Sequence, residues 1–286
     1  MTHDAYRLIR PVLQDTSVVF SSPHSGRNYP AAFLASTGLD ARAIRSSEDA
    51  FVDSLFDMAP QHGAPLLAAM MPRAFLDLNR APDEFDPGVI DGINRPAHNP
   101  RISSGLGVIP RVVAGGRAIY RGKMQLAEAE ARITRYWHPY HDALRDLIRS
   151  TRAEFGEAIV IDCHSMPHEA IESHARLNQP RPEVVLGDRF GAAASPDVMA
   201  RVEAAFQAAG LRVARNAPFA GAYIAQAYGR PTVSQHVVQV EIDRSLYMDE
   251  MRVELLPGFA GFREMMAGVV SQIARSGRRA MPLAAE

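Results

Sequence analysis

Several features are scarce in this chain. Its 286 residues include one cysteine, Cys163, so no intrachain disulfide framework exists, and a lone thiol fits a reducing compartment. No stretch approaches the ~18 consecutive apolar residues of a membrane span. The opening segment MTHDAYRLIRPVLQ lacks the apolar core of a signal peptide. Excess charge of either sign is missing too: 31 Lys and Arg stand against 32 Asp and Glu, which gives a polyanion such as nucleic acid no basis as the main partner. There is no internal repeat and no low-complexity linker. The expectation is a soluble cytoplasmic protein with neither membrane nor nucleic acid as partner. With 47% apolar residues, the chain can bury a sizeable core.

What is present alternates between strand and helix patterns. SVVFS (17–21), APLLAAMM (64–71), AFLDL (74–78), AIVID (158–162), EVVLGD (183–188), LRVAR (211–215) and HVVQVEID (236–243) read as strands. SSEDAFVDSLFDMA (46–59) reads as a helix that Ser46 and Ser47 can cap, with Glu48 and Asp49 in its first turn. The longest helical pattern covers 124–155, and Pro139 should kink or divide it. Helices are also expected over 195–210, closed by Gly210, and over 253–276. Residues 80–122, rich in Pro, Gly, Asn and Arg, form a long irregular connection in which 115–123 can hold a hairpin. Connections of this length are usually functional or disordered. With no composition break, the simplest architecture is one α/β domain over 1–286: a mostly parallel central sheet flanked by helices. Ligands in such sheets bind beyond the carboxyl ends of the strands.

Three strands carry chemistry at those ends. SVVFS leads to His24, AIVID to His164, and HVVQV to Glu241. If they converge with Glu48 and Asp49, the set holds two imidazoles and several carboxylates. Two histidines and one carboxylate with an open position form the ligand set of a catalytic zinc, and an unligated carboxylate can then accept the proton of the attacking water. Each piece also has a plainer reading, as a hydrogen-bonded structural histidine or as acids complementing a helix dipole. Glu241 is harder to dismiss. Alternation places it with Val237, Gln239 and Asp243 on one face of its strand, and a buried charge there needs partners. Cys163 and His164 are neighbours, so on a strand they face opposite ways and cannot pair as nucleophile and base. Cys163 therefore reads as packing, His164 as a ligand, and Asp162, on the same face, as a carboxylate that orients it. His138 and His141 of WHPYH read as structural.

SPHSG, SEDAFVDSLF, PRAFLDLNR, WHPYHDAL, IDCHS, FAGAY and VEIDRSLYMDE, spanning 22–250, together resemble the motifs of the N-formylglutamate amidohydrolase family. The resemblance implies a fold like that of zinc carboxypeptidases, three-layered with a mixed sheet. It also implies hydrolysis of the formyl amide of N-formyl-L-glutamate to formate and glutamate, in one route of histidine degradation. It implies one Zn2+ (other divalent metals being alternatives) held by His24, His164 and an acid of the SEDAF segment. That acid is Asp49, which matches the aspartate four residues before Asp53 in the histidine-pathway enzymes, with Glu48 in reserve; carboxypeptidases carry their acid three residues after the first histidine, where this chain has Arg27. Glu241 matches the catalytic glutamate. Arg73, or Arg80, is suited to the oxyanion. Asn79, Arg80, Arg121, Tyr223 and Arg244 are candidates to bind the acidic substrate, since each substrate carboxylate suits an arginine fork. Asp162 and Asp77 are the carboxylates expected behind the ligands. The chain departs from the histidine-pathway members at Ala222 within Gly-Ala-Tyr and at Ala50 and Phe51, where those members carry Trp-His. Those departures bear on the substrate more than on the reaction. The rivals are a related zinc deacylase acting on another N-acyl amino acid, and a non-catalytic sensor of an acidic metabolite.

Overall fold

In a computed structural model of the chain, the described residues are 3–93, 100–172 and 181–278. Seven strands build the main sheet: β1 (Tyr6–Ile9), β2 (Val18–Ser22), β3 (Leu66–Ala69), β4 (Ala158–Met166), β5 (Val184–Gly187), β6 (Val213–Arg215) and β7 (Gln235–Asp243). Their order across the sheet is β1-β3-β2-β4-β7-β5-β6. The central strands β3, β2, β4 and β7 run parallel. β1 joins β3 antiparallel at one edge, and β5 joins β7 antiparallel towards the other. The sheet is thus mixed and mostly parallel, as the strand–helix alternation suggests.

Alternation along the central strands separates two cores. Val19, Val160 and Val237 face the helix α1 (His138–Phe155), where Tyr140, Leu144 and Leu147 meet them. Val18, Phe20, Ile159, Ile161, Cys163, Val238, Val240 and Ile242 face α2 (Pro196–Ala208) and α3 (Phe259–Ser276). Cys163 is fully buried among those apolar side chains, and burial pushes its thiol well up. The same alternation continues past the apolar residues. Asp162 and His164 keep the parity of Val160, and Gln239 and Glu241 keep that of Val237. The α1 face of the sheet therefore becomes polar where the parallel strands end.

Three local expectations are corrected. The helix expected over 46–59 forms only at Val52–Leu55, preceded by a 3-10 turn at Ala43–Arg45 and followed by another at Ala59–His62. Glu48 and Asp49 lie in the turn between, and Phe51, with φ at 65°, bends the chain into the left-handed region. Such a conformation is uncommon for a bulky residue. Here the backbone on both sides is held, with the Asp49 N–H bonded to the His24 carbonyl at 3.1 Å and the Val52 N–H to the Asp49 carbonyl at 3.3 Å. AFLDL is no strand. The Phe75 and Leu76 N–H groups turn back to Pro72 O, and Asp77 N–H bonds Val108 O, so the segment is tied to the loop over it instead of to the sheet. The hairpin expected within 115–123 begins earlier: Val112 pairs antiparallel with Ala118, and Val113 N–H bonds Arg117 O and Ile119 N–H bonds Arg111 O, both at 2.9 Å, while Tyr120 bridges to Thr37.

The 124–155 pattern is not divided but is irregular just before Pro139. A π-helical turn at Ile133–Trp137 joins Leu126–Arg132 to α1, just before Pro139, where a proline disrupts the regular hydrogen-bond ladder. On α1, His141 is fully buried. Its Nε2–H donates to Leu78 O at 2.9 Å, and Nδ1 accepts from the Tyr228 hydroxyl at 2.8 Å. That is a structural role, and burial lowers its pKa to about 3. The unfolded chain protonates this histidine near 6.5. Its contribution to stability is therefore complete above that pH and is lost as pH falls towards about 3, at roughly 1.4 kcal/mol per unit. Urea midpoints of wild type and His141→Gln should converge as pH drops from 7 to 4; parallel curves would contradict it.

Candidate metal centre and cleft

The polar ends of β2, β4 and β7 meet at one place. His24 follows β2 through a short turn that Gly26 lets pass close to β3, since a Cβ there would lie 2.1 Å from Met71 O. His164 sits within β4, directly opposite Glu241 of β7 in the strand register. Asp49 arrives from the turn before Val52, held to His24 by the backbone bond described above. All three residues are buried.

Their donor atoms converge. One ligand atom each from His24, Asp49 and His164 lies within 4.8 Å of the others. Asp49 Oδ2 is 2.8 Å from His164 Nδ1 and 3.4 Å from His24 Nδ1. The outward nitrogens are each held by a carboxylate, His24 Nε2 by Asp77 Oδ1 at 2.7 Å and His164 Nε2 by Asp162 Oδ2 at 3.1 Å. Metal-ligating histidines are characteristically fixed in this way, with the second nitrogen donating to an acceptor behind it. His24 Nδ1 is buried and makes no hydrogen bond. An orphaned buried nitrogen is costly, and a cation at the convergence point would satisfy it. The residues therefore fit a metal ion.

The surrounding charges are just as closely paired. Asp77 Oδ2 accepts from Arg73 Nε at 3.0 Å. Burial works against Asp77's charge, but His24, Arg73 and Arg80 together hold its carboxyl well below the usual range. Asn79 Nδ2 donates to Asp162 Oδ2 at 3.2 Å and lies 3.0 Å from His164 Nε2, while its Oδ1 accepts from Ile224 N–H at 2.7 Å. Glu241 Oε1 accepts from Gln239 Nε2 at 2.8 Å, and Gln239 Oε1 accepts from Ala222 N–H at 2.9 Å. Burial raises Glu241 to about 7, with Asp49 adding to it and His164, Arg73 and Arg244 opposing. A carboxyl poised there can exchange protons near neutrality.

These groups line a cleft of about 570 Å³. His24, Asp49, His164, Glu241, Arg73, Asp77, Asn79, Arg80 and Arg244 all border it. The 80–122 connection supplies much of its wall through Arg101, Ser104, Leu106 and 110–116, opposite Pro218–Ala222. Arg80 is buried. Its Nε and Nη1 bond the Leu106 and Asn79 carbonyls, both at 2.9 Å, and burial opposes its charge, lowering its pKa. No carboxylate is paired with it among the described residues.

Other candidates are placed differently. Glu48 is buried one residue from Asp49 but turned away, bound by Arg45 Nε at 3.0 Å and by the Tyr29 hydroxyl. Arg121 is exposed, outside the cleft and against Gly38. Tyr223 faces the aromatic cluster, its ring centroid 5.8 Å from that of Trp137 and 5.6 Å from that of His141; its neighbour Ala222 borders the cleft instead. Arg27 pairs with Asp53 at 3.1 Å. Arg244 does border the cleft, yet its guanidinium is engaged by Asp49 and Ser165. Gln239 was visible in the sequence only as a polar residue sharing Glu241's face. Ser165 was visible only as the last residue of the IDCHS motif.

Comparison with known proteins gives a consistent pattern. A family model described as N-formylglutamate amidohydrolase matches residues 16–248. The chain is 34% identical, over 82% of each sequence, to a protein of Pseudomonas aeruginosa named N-formylglutamate deformylase. It is 28% identical, over 82% of each, to one of Pseudomonas putida with the same name. A crystal structure of an N-formylglutamate amidohydrolase from Ralstonia eutropha superposes with a TM-score of 0.89 at 34% identity, covering 96% of this chain and 98% of that one.

Proposed function

Since the chain belongs to the N-formylglutamate amidohydrolase family, we propose that it hydrolyses the formyl amide of N-formyl-L-glutamate, giving formate and glutamate. His24 Nδ1, Asp49 Oδ2 and His164 Nδ1 would hold one divalent cation, with zinc the metal suited to nitrogen and oxygen donors. When bound, zinc would polarise the formyl carbonyl and acidify water. Glu241 accepts a proton from the attacking water as C–O forms and the carbonyl becomes a tetrahedral oxyanion, then delivers that proton to the amine nitrogen as the oxyanion collapses and C–N breaks. Gln239 holds Glu241 by donating to one of its oxygens, which keeps the other available. Arg73, anchored on Asp77 and bordering the cleft, supplies its remaining N–H groups to the oxyanion. Arg80, which has no carboxylate within ion-pair distance among the described residues, binds a substrate carboxylate. Asn79 supports the histidine side and does not need to touch substrate.

One observation carries the proposal: three buried donors converge on a point, one of them without a hydrogen bond, with an unligated glutamate raised to about 7 in the same cleft. A sensor of an acidic metabolite has no need of that glutamate. The test is a panel of N-formyl-L-glutamate, N-acetyl-L-glutamate and N-formyl amino acids with neutral side chains. Formyl-glutamate should be hydrolysed with the highest kcat/KM; acetyl-glutamate ahead of it would move the assignment to another acyl group. Arg80→Met should raise KM for N-formyl-L-glutamate by at least about 30-fold, the lower end of the ~2–5 kcal/mol lost on truncating a desolvated charge pair. An unchanged KM would remove Arg80 from the substrate site.

A further inference from the structure

Asp49 offers two oxygens, and only one of them faces the histidines. The other, Oδ1, accepts from Arg244 Nη2 at 2.9 Å. Arg244 follows directly on β7, in the turn Arg244–Leu246. Its guanidinium is held along its length: Nε donates to Ser165 Oγ at 3.1 Å, Nη2 also reaches Ser165 O at 3.4 Å, and Nη1 reaches Ser46 O at 3.4 Å. Arg244 and Asp49 are 5% and 1% exposed, so the pair is nearly shut off from water. A buried arginine that spends its fork on one carboxylate and two carbonyls has few donors left for a substrate.

From this geometry we infer that Arg244 is a positioning residue for the metal centre: it occupies Asp49 Oδ1, so that Asp49 presents Oδ2 alone to the cation, and Ser165 holds Arg244 in place for this. The inference rests on the metal reading given above. The physical case has two sides. A guanidinium near a divalent cation repels it, which weakens binding. An unrestrained aspartate, however, can rotate, and its negative charge is then free to pair elsewhere. Asp49 comes from a turn, not from the sheet, so the side-chain bond to Arg244 and the backbone bond to His24 are what aim it. Among second partners of metal ligands, loss typically lowers affinity about 10–100-fold, and that is the scale expected here. The inference also accounts for why β7 carries both the glutamate and the arginine: one strand end sets the base and, three residues on, the aim of the acidic ligand.

The experiment measures Zn2+ affinity of metal-stripped protein by competition with a chromophoric chelator, alongside the thermal midpoint of the stripped protein. Arg244→Met should bind Zn2+ about 10–100-fold more weakly. Arg244→Lys, which cannot reproduce the fork, should recover only part of the affinity. Ser165→Ala should weaken Zn2+ binding measurably while leaving the midpoint of the stripped protein close to wild type, and it serves where Arg244→Met fails to fold. A merely structural ion pair would lower the midpoint and leave Zn2+ affinity unchanged. Arg244→Met or Ser165→Ala binding Zn2+ as tightly as wild type would overturn the inference alone. Wild-type protein taking up no Zn2+ would overturn the metal reading and this inference with it.

Discussion

Glu241→Gln is expected to lower kcat at least about 100-fold, the scale of a lost general base, with Zn2+ binding retained. Glutamine keeps the shape and a hydrogen-bonding oxygen for Gln239 but cannot take a proton. The partner bond explains why this substitution is the informative one. Gln239 Oε1 is fixed by the Ala222 N–H, so Nε2 must be the end that donates to Glu241. The wild-type rate should fall as pH drops through the pKa of Glu241, because the base must be ionised. That value is about 7 in the buried pocket without a cation, and a bound cation lowers it, so the acidic limb lies at or below about 7. The limb should vanish in Glu241→Gln. A variant with near-normal kcat, or with the same acidic limb, would remove Glu241 from the proton transfer.

The second large effect is expected at Asp77. This buried carboxylate is the partner of both His24 Nε2 and Arg73 Nε. Asp77→Ala leaves Arg73 without its counter-charge and His24 Nε2 without its hydrogen-bond partner. Removing one member of a buried pair costs about 3–5 kcal/mol; Arg73's side chain is 25% exposed, so water can reach it and the lower end of that range is expected. Asp77 also bonds the Asn79 N–H at 2.8 Å, so the loss spreads to the residue that braces Asp162. Urea unfolding of metal-stripped protein should show the destabilisation, and Zn2+ affinity should fall about 10–100-fold. A loss under about 1 kcal/mol would mean that the Asp77 interactions only offset its burial.

Much of the fold and the heart of the site could be read from local patterns. Strand parity alone placed Asp162 with His164 and Gln239 with Glu241, because a period of two is a property of the backbone and survives burial. The same logic put Cys163 among apolar side chains. Pro139 marked where the long helix becomes irregular. What local patterns could not convey were choices made between distant side chains. Glu48 and Asp49 are adjacent acids, and nothing near them says that Arg45 and Tyr29 take one while the histidines take the other. AFLDLNR alternates like a strand, yet its backbone bonds to the loop above it. Arg244 and Tyr223 are near the cleft in sequence logic, but one is spent on Asp49 and the other on Trp137 and His141. Arg121 has the right chemistry and lies on the surface. The family resemblance narrowed the acid to Asp49, and the arrangement of donors is consistent with that choice.

The central claim is a metal-dependent deformylase built on His24, Asp49 and His164. The most direct test follows formate release from N-formyl-L-glutamate by the purified protein as isolated, after chelation, and after Zn2+ is returned. Release that is abolished by chelation and restored by about one equivalent of Zn2+ is the predicted result. Undiminished release from fully stripped protein, or no release from protein carrying one equivalent of Zn2+, would contradict it.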